Sequence, residues 1–460
     1  MFIKRDQIVS RVSSTILKTS KAENISSSLF YTEEGFFNES LFLEESYEYN
    51  FTHRHRDFDI QEDYNKDELQ EAIAALHLPV WSRGYIPCEN PASEVSCKQI
   101  IKAWGVIRKW ENLILSANAS QLKYITRETI EFGTGNVVFT DTLAFGLALY
   151  SGRGFIADPR DLSTQTFSPD DKISQPVSSR GYEFPRIVHT CYQKFASLKN
   201  ANSRNFPDDF QYQEKDIENL LSPSSATNYL IRHLHYPVFL YGIHGIGEFL
   251  FESFGNHFIY FINNYLTRFN ETAIKHATQL YSDIPKDYVI IGCQLRHQYA
   301  NSMYQKAPER QKNNFLKFAR AAISHYNRKV KFVICSDNND FVKSIENELD
   351  DYIICKSNER YNAPKIPEHI VDLTLLIASD EKLLTHRSTY SMTCGHRMNK
   401  ASWYIEKESE LALSPKYGQS LFADPMFHSD DICLGQTNMH LHITNNNNKL
   451  IENIFEQIAI

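Results

Sequence analysis

The sequence predicts a two-domain α/β protein, two Rossmann-like β/α domains facing a cleft, with an N-terminal extension. Three observations predict it. Between residues 122 and 158 a strand-like run, a glycine-bearing turn, an apolar helix and a second strand follow one another, the order of a right-handed crossover into a parallel sheet. After a polar break at Ser282-Asp283-Ile284-Pro285-Lys286-Asp287 the same alternation restarts and runs to residue 398. A chain of 460 residues with 42% hydrophobic content is also longer than one core usually organises.

Residues 1–80 read as the extension: polar and charged, with scattered aromatics such as Phe36, Phe37, Phe42 and Tyr47, and partly helical near Asp67 to Leu78. Residues 81–280 form the first domain and residues 281–460 the second. In the first, Ile100, Ile101, Trp104, Ile107, Trp110, Leu113 and Ile114 recur at three- and four-residue spacing, which predicts an amphipathic helix over 96–118. A strand over 122–130, the turn Gly133-Thr134-Gly135-Asn136, a helix over 138–150 and a strand over 155–158 follow. Residues 159–223, dense in Ser, Asp, Pro and Gln, read as loop, and residues 249–269 as one helix. The second domain alternates strands over 288–295, 329–335, 352–355 and 382–385 with helices over 310–326, 339–349, 368–378 and 389–398.

The formal net charge is −8 and no basic cluster exceeds His53-Arg54-His55-Arg56, so there is no electrostatic footprint for nucleic acid. No uncharged run approaches the roughly 18 residues of a membrane span. The chain therefore reads as having no transmembrane segment and as cytoplasmic as encoded, or exported into a host cell by another route. The eight cysteines lack zinc spacing, and the pairs His233/His235 and His440/His442 lack a third ligand, so no metal is expected.

Three places carry candidate chemistry. Glycines at 133 and 135 let a backbone approach a ligand closely and aim helix-start amides at negative charge, or make a plain tight turn. Cys293-Gln294-Leu295-Arg296-His297 ends an apolar strand in a polar pair; an arginine there suits a diphosphate, or a surface salt bridge. Thr385-His386-Arg387-Ser388-Thr389-Tyr390-Ser391 places hydroxyls between a strand and a helix, as anion ligands or as caps.

Taken in order, these segments resemble the plant-type xyloglucan α-1,2-fucosyltransferase family and, more loosely, GDP-fucose-dependent transferases. Lys123-Tyr124-Ile125-Thr126, Gly133-Thr134-Gly135-Asn136 and Ala148 through Asp158 are similar to the family's strand, G-L-G-N-R turn, helix and second strand. Ile290 through Arg296 resembles its V-G-I-Q-I-R strand. Asp372 through Asp380 with Leu384 through Tyr390 resembles its L-L-S-L-S-D and T-S-x-W-S-T-F-G-Y segments, and Asp424-Pro425-Met426-Phe427-His428-Ser429 its E-P-C-F-H-S stretch. The resemblance runs from about residue 100 to residue 433.

It implies a GT-B-like fold with the acceptor on the first domain, GDP-fucose as donor substrate on the second, a glycan or glycosylated acceptor, inversion at the anomeric carbon, and neither cofactor nor metal. Carried over by position, Gly133, Gly135, Asn136, Arg296, Asp372, Arg387, Ser388, Thr389 and Tyr390 would hold GDP-fucose. Arg296 would neutralise the leaving phosphate, with His297 beside it as the second catalytic candidate. Asp141 and Glu309 are further candidates for the base, and Asp372 is equally a first-turn acid favoured by the helix dipole. Val137 stands where the family has arginine, Arg387 where it has tryptophan, and Met426 where it has cysteine, so the family's disulfide pattern is not kept, as in a reducing compartment. Two other readings share the fold: a transferase using another nucleotide sugar, and a catalytically silent carbohydrate-binding protein.

Overall fold

The structure, a computed structural model, describes residues 64–79, 95–128, 134–158, 182–206, 214–222, 225–232, 240, 245–269, 271–296, 308–354, 367–385, 388–398, 402–405 and 412–413. It is an α/β fold built on two parallel, Rossmann-like sheets that lie in one compact unit. The first has β1 (Tyr124–Arg127), β2 (Gly154–Ile156), β3 (Ser203–Asn205) and β4 (Asn228–Ile231) in the order β2-β1-β4-β3. The second has β5 (Val289–Gln294), β6 (Val330–Cys335), β7 (Glu381–Thr385), β8 (Trp403–Ile405) and β9 (Ala412–Leu413) in the order β6-β5-β7-β8-β9, antiparallel only at β9.

The helices in chain order are α1 (Lys66–Ala75), α2 (Cys97–Ser116), α3 (Thr134–Ser151), α4 (Arg186–Ala196), α5 (Glu214–Leu221), α6 (Ile246–Phe254), α7 (Phe258–Leu266), α8 (Glu271–Ser282), α9 (Pro308–His325), α10 (Asn339–Glu346), α11 (Glu368–Ala378) and α12 (Thr389–Met398). Local chemistry sets their starts. Ser96 caps α2 in a reciprocal box, its hydroxyl accepting from the Gln99 amide at 3.2 Å while the Gln99 side chain accepts from the Ser96 amide at 2.9 Å. Asn65 caps α1 and Asn338 caps α10 in the same manner, each side-chain oxygen accepting from first-turn amides.

The core lies where α3, α7 and α12 pack on one another. α3 is buried on every side from Gly135 to Leu149, as a helix must be when both its faces meet protein. α1 packs on α2 through Leu69, Ala72 and Ile73, with Glu71 accepting from the Trp104 indole and pairing with Arg108.

Several elements differ from expectation. The helix foreseen over 138–150 begins at Thr134, so Gly135 and Asn136 stand in its first turn and not in a loop. The helix foreseen over 249–269 is two, α6 and α7, because Gly255 takes φ +59° and a short 3-10 turn follows. The stretch read as loop over 159–223 contains α4, β3 and α5; their apolar positions are too few or too short to give a clear period. The strand foreseen over 352–355 is a single bridge, Ile353 to Phe332. Cys97 is disulfide-bonded, whereas Cys191, Cys293, Cys335 and Cys394 are free and buried. Among the described residues no helix is long and apolar enough to cross a membrane.

Gly105, in the middle of α2, has nothing within 4 Å of the place a Cβ would occupy. Gly105→Ala is expected to raise stability by about 0.5–1 kcal/mol through helix propensity alone. The check is a higher urea midpoint at unchanged slope.

Candidate functional site

In the second sheet β5 connects to β6 on one side while β7 lies on its other side, so the carboxyl ends of β5 and β7 form a topological switch point, where open α/β sheets bind ligands. The residues there are tied together. The Thr385 hydroxyl at the end of β7 donates to the Gln294 carbonyl at 2.7 Å and accepts from the Arg296 amide at 2.9 Å. The Ser391 hydroxyl of α12 donates to the Gln294 side-chain oxygen. Arg296 is thereby fixed just beyond β5. Its Nε donates to Asp337, past the end of β6, at 3.1 Å, and the Gln311 amide of α9 donates to its carbonyl at 3.3 Å. The Arg296 side chain is 31% exposed and that of Asp337 26%, so the pair reaches solvent.

Three helix starts converge beside it. Ser388 caps α12, its hydroxyl accepting from the Ser391 amide at 3.4 Å. The Tyr390 hydroxyl donates to the His369 carbonyl in the first turn of α11. A Cβ built on Gly135, in the first turn of α3, would lie 2.4–2.5 Å from the backbone of Thr389 and Tyr390, so only glycine allows α3 to start against α12. The first turns of α3 and α12 therefore lie against each other, and such starts carry amide groups with no intrahelical acceptor and the positive ends of helix dipoles. Helix starts of this kind, with an arginine nearby, are the arrangement that phosphoryl groups use in other proteins.

Of the residues singled out from sequence, the structure brings Gly135, Asn136, Ser388, Thr389 and Tyr390 together in abutting first turns, and Arg296 to the adjoining strand end. Asn136 is buried, and its side-chain oxygen has no hydrogen-bond partner among the described residues. Asp372 is not a first-turn acid; Glu368 is, and Asp372 sits buried one turn further along α11, its carbonyl beside the Cys335 thiol. Gly133, His297 and Arg387 lie outside the described residues, as do the 424–429 stretch and both His-x-His pairs. Val137 is fully buried in α3.

Asp141 cannot serve as the base. It is fully buried on α3 and paired with Arg127 at the end of β1, which also approaches Asp158 at 3.9 Å. Glu309 stands exposed in the first turn of α9. Burial pushes the Cys394 thiol up to about 12 and the Cys293 thiol well above its ordinary range, so neither is a nucleophile. Among the described residues no group of three metal-ligating side chains occurs.

Sequence reasoning passed over Asp337 and Arg127. Asp337 was accessible to it, as the acid two residues after the apolar strand ending at Cys335. The Arg127–Asp141 pair had no such signal.

No protein-family model matches this chain. No characterised protein matches it by sequence either. Among solved structures, a mutant of Arabidopsis thaliana FUT1 in complex with GDP is similar over 76% of this chain and 86% of its own, at 13% identity and a TM-score of 0.49. The fucosyltransferase NodZ from Bradyrhizobium is similar over 64% of this chain and 98% of its own, at 15% identity and a TM-score of 0.40. POFUT1 in complex with GDP is similar over 63% and 99%, at 12% identity and a TM-score of 0.38. Identities this low leave the function of this chain to its own site, at the switch point of the second sheet of a two-sheet α/β protein.

Two substitutions test the architecture of the site. Gly135→Ala forces the α12 start to move and is expected to cost about 1–3 kcal/mol, as overpacking does. Asp141→Ala leaves the Arg127 guanidinium buried without this carboxylate and is expected to cost about 3–5 kcal/mol. Urea unfolding of both variants checks the two values.

Proposed function

We propose that this chain is a glycosyltransferase of the fucosyltransferase type, transferring fucose from GDP-fucose to a glycan or glycosylated acceptor with inversion. The observation that carries the reading is the convergence of Arg296 with the first turns of α3, α11 and α12 at the β5/β7 switch point. The order of the segments that resemble the fucosyltransferase family supports fucose as the sugar and guanosine diphosphate as its carrier.

The acceptor hydroxyl oxygen attacks the anomeric carbon as the bond from that carbon to the β-phosphate oxygen breaks. The hydroxyl proton passes to a base, for which His297, next to Arg296 in the sequence, is our candidate. Negative charge then grows on the departing diphosphate, and preorganised donors stabilise it without having to reorient. Arg296 supplies a permanent charge, Asp337 and Thr385 hold it in place, and Ser388, Thr389 and Tyr390 contribute the α12 start. Asp372, Asn136, Gly133 and Arg387 complete the proposed donor set.

Incubation with GDP-fucose and a glycan acceptor, scored by GDP release, tests the reading. Arg296→Ala is expected to lower the release rate by about a hundredfold or more, and GDP-fucose is expected to raise the unfolding temperature above the shift given by other nucleotide sugars. Absence of both transfer and donor hydrolysis in the wild-type protein, with no shift by GDP-fucose, rejects it in favour of a silent binding protein.

A further inference from the structure

α1 is the first element of the described fold, and the residue that ends it is a histidine set among cations. Leu76 and Leu78 are buried on either side of His77, which takes φ +53°, the left-handed turn that commonly closes a helix. The His77 amide donates to the Ala74 carbonyl at 3.1 Å, and the Leu78 amide to the Ile73 carbonyl at 3.1 Å. The imidazole is enclosed there: its Nε2 is buried and has no hydrogen-bond partner among the described residues.

What faces this ring is positive. Arg268, just past α7, donates from Nη2 to the Ala75 carbonyl at 3.0 Å, and Arg397 of α12 holds Thr267 and lies over the Phe269 ring, the residues on either side of Arg268. The nearby acidic groups, Glu111 of α2, Tyr265 of α7 and Glu183, act on Arg268, while Tyr182 and Cys394 act on Arg397. Glu71 of α1 pairs instead with Arg108 and the Trp104 indole. Burial first, and then Arg268 and Arg397, push the His77 ring down to about 3, against a smaller opposing pull from the Phe269 backbone. Arg397, pulled down only to about 9, is still a cation where histidine titrates.

We propose that His77 is an acid-sensitive latch for α1: neutral, it lets the helix close on the core, and protonated, it sets a third cation beside Arg268 and Arg397 and opens the helix. Open α1 takes up the proton at the ordinary histidine value, about 6.5, whereas closed α1 holds it off until about 3. Closure is therefore strongest above the ordinary value and is lost as pH falls from there toward the lower one. The latch does not depend on what the second-sheet site binds.

Amide hydrogen exchange of the full-length protein tests it. Between about pH 7.5 and about pH 5.5 the protection of α1 amides is expected to fall about tenfold. His77→Asn, which cannot titrate and suits a left-handed turn, is expected to remove that fall. His189, a buried histidine of α4 pushed down to about 4, makes global unfolding acid-sensitive as well; His189→Gln is expected to leave the fall in α1 intact, because α1 opens without α4. In histidine-labelled wild-type protein the His77 ring, identified by its loss in His77→Asn or His77→Gln, is expected to titrate well below its ordinary value. A fall that persists in His77→Asn or disappears in His189→Gln, no fall in wild type, or a His77 ring that titrates at the ordinary value overturns the latch. Should His77→Asn not fold, His77→Gln replaces it, and the ring titration decides.

Discussion

The contact on which the rest depends is backbone against backbone, Gly135 in the first turn of α3 against Thr389 and Tyr390 in the first turn of α12. α3 follows β1 in one sheet and α12 follows β7 in the other, so this single approach brings the carboxyl edges of both sheets to one place. Juxtaposing two positive helix ends is electrostatically unfavourable until an anion lies near them. The close approach therefore costs less when an anion lies near it.

A buried polar seam keeps that junction in register. The Thr142 hydroxyl of α3 donates to the Asn263 side chain of α7, and the Asn264 amide donates to the Arg397 carbonyl at 3.0 Å near the end of α12. Arg397 in turn donates to the Thr267 hydroxyl and carbonyl just past α7, with its guanidinium 4.2 Å above the Phe269 ring. Burial pulls Arg397 down to about 9, the direction expected when a charge is held chiefly by carbonyls and a ring. Carbonyls at a helix end suit a cation, and the fixed geometry of such bonds specifies one arrangement of the three helices where apolar packing alone would accept several.

The two strand ends of the second sheet divide the work at the site. β5 delivers Arg296 and β7 delivers Thr385, and the threonine hydroxyl bridges the two backbones by donating to one and accepting from the other. Asp337 then holds one nitrogen of the guanidinium. A mobile surface arginine loses rotamer entropy on binding a phosphate; one already held at both backbone and side chain loses less, and this preorganisation is what transition-state stabilisation draws on.

Sequence by itself determined the alternation of elements, since hydrophobic period and cap residues are local. The apolar spacing over 96–118 marked α2, and the apolar runs 288–295, 329–335 and 382–385 marked strands of the second sheet. Arg296 and the Ser388–Tyr390 turn were legible because a polar residue after an apolar strand stands at the ligand-binding edge of a parallel sheet. Tertiary structure alone decided which edges meet. Glu128 finds Arg232 and Arg127 finds Asp141 only once β4 lies beside β1 and α3 crosses back, and Gly135, read as a turn residue, proved to be a contact between helices in the first turn of α3. Such pairings depend on strand order and helix crossing, which arise from packing over the whole chain and leave no mark at any one position.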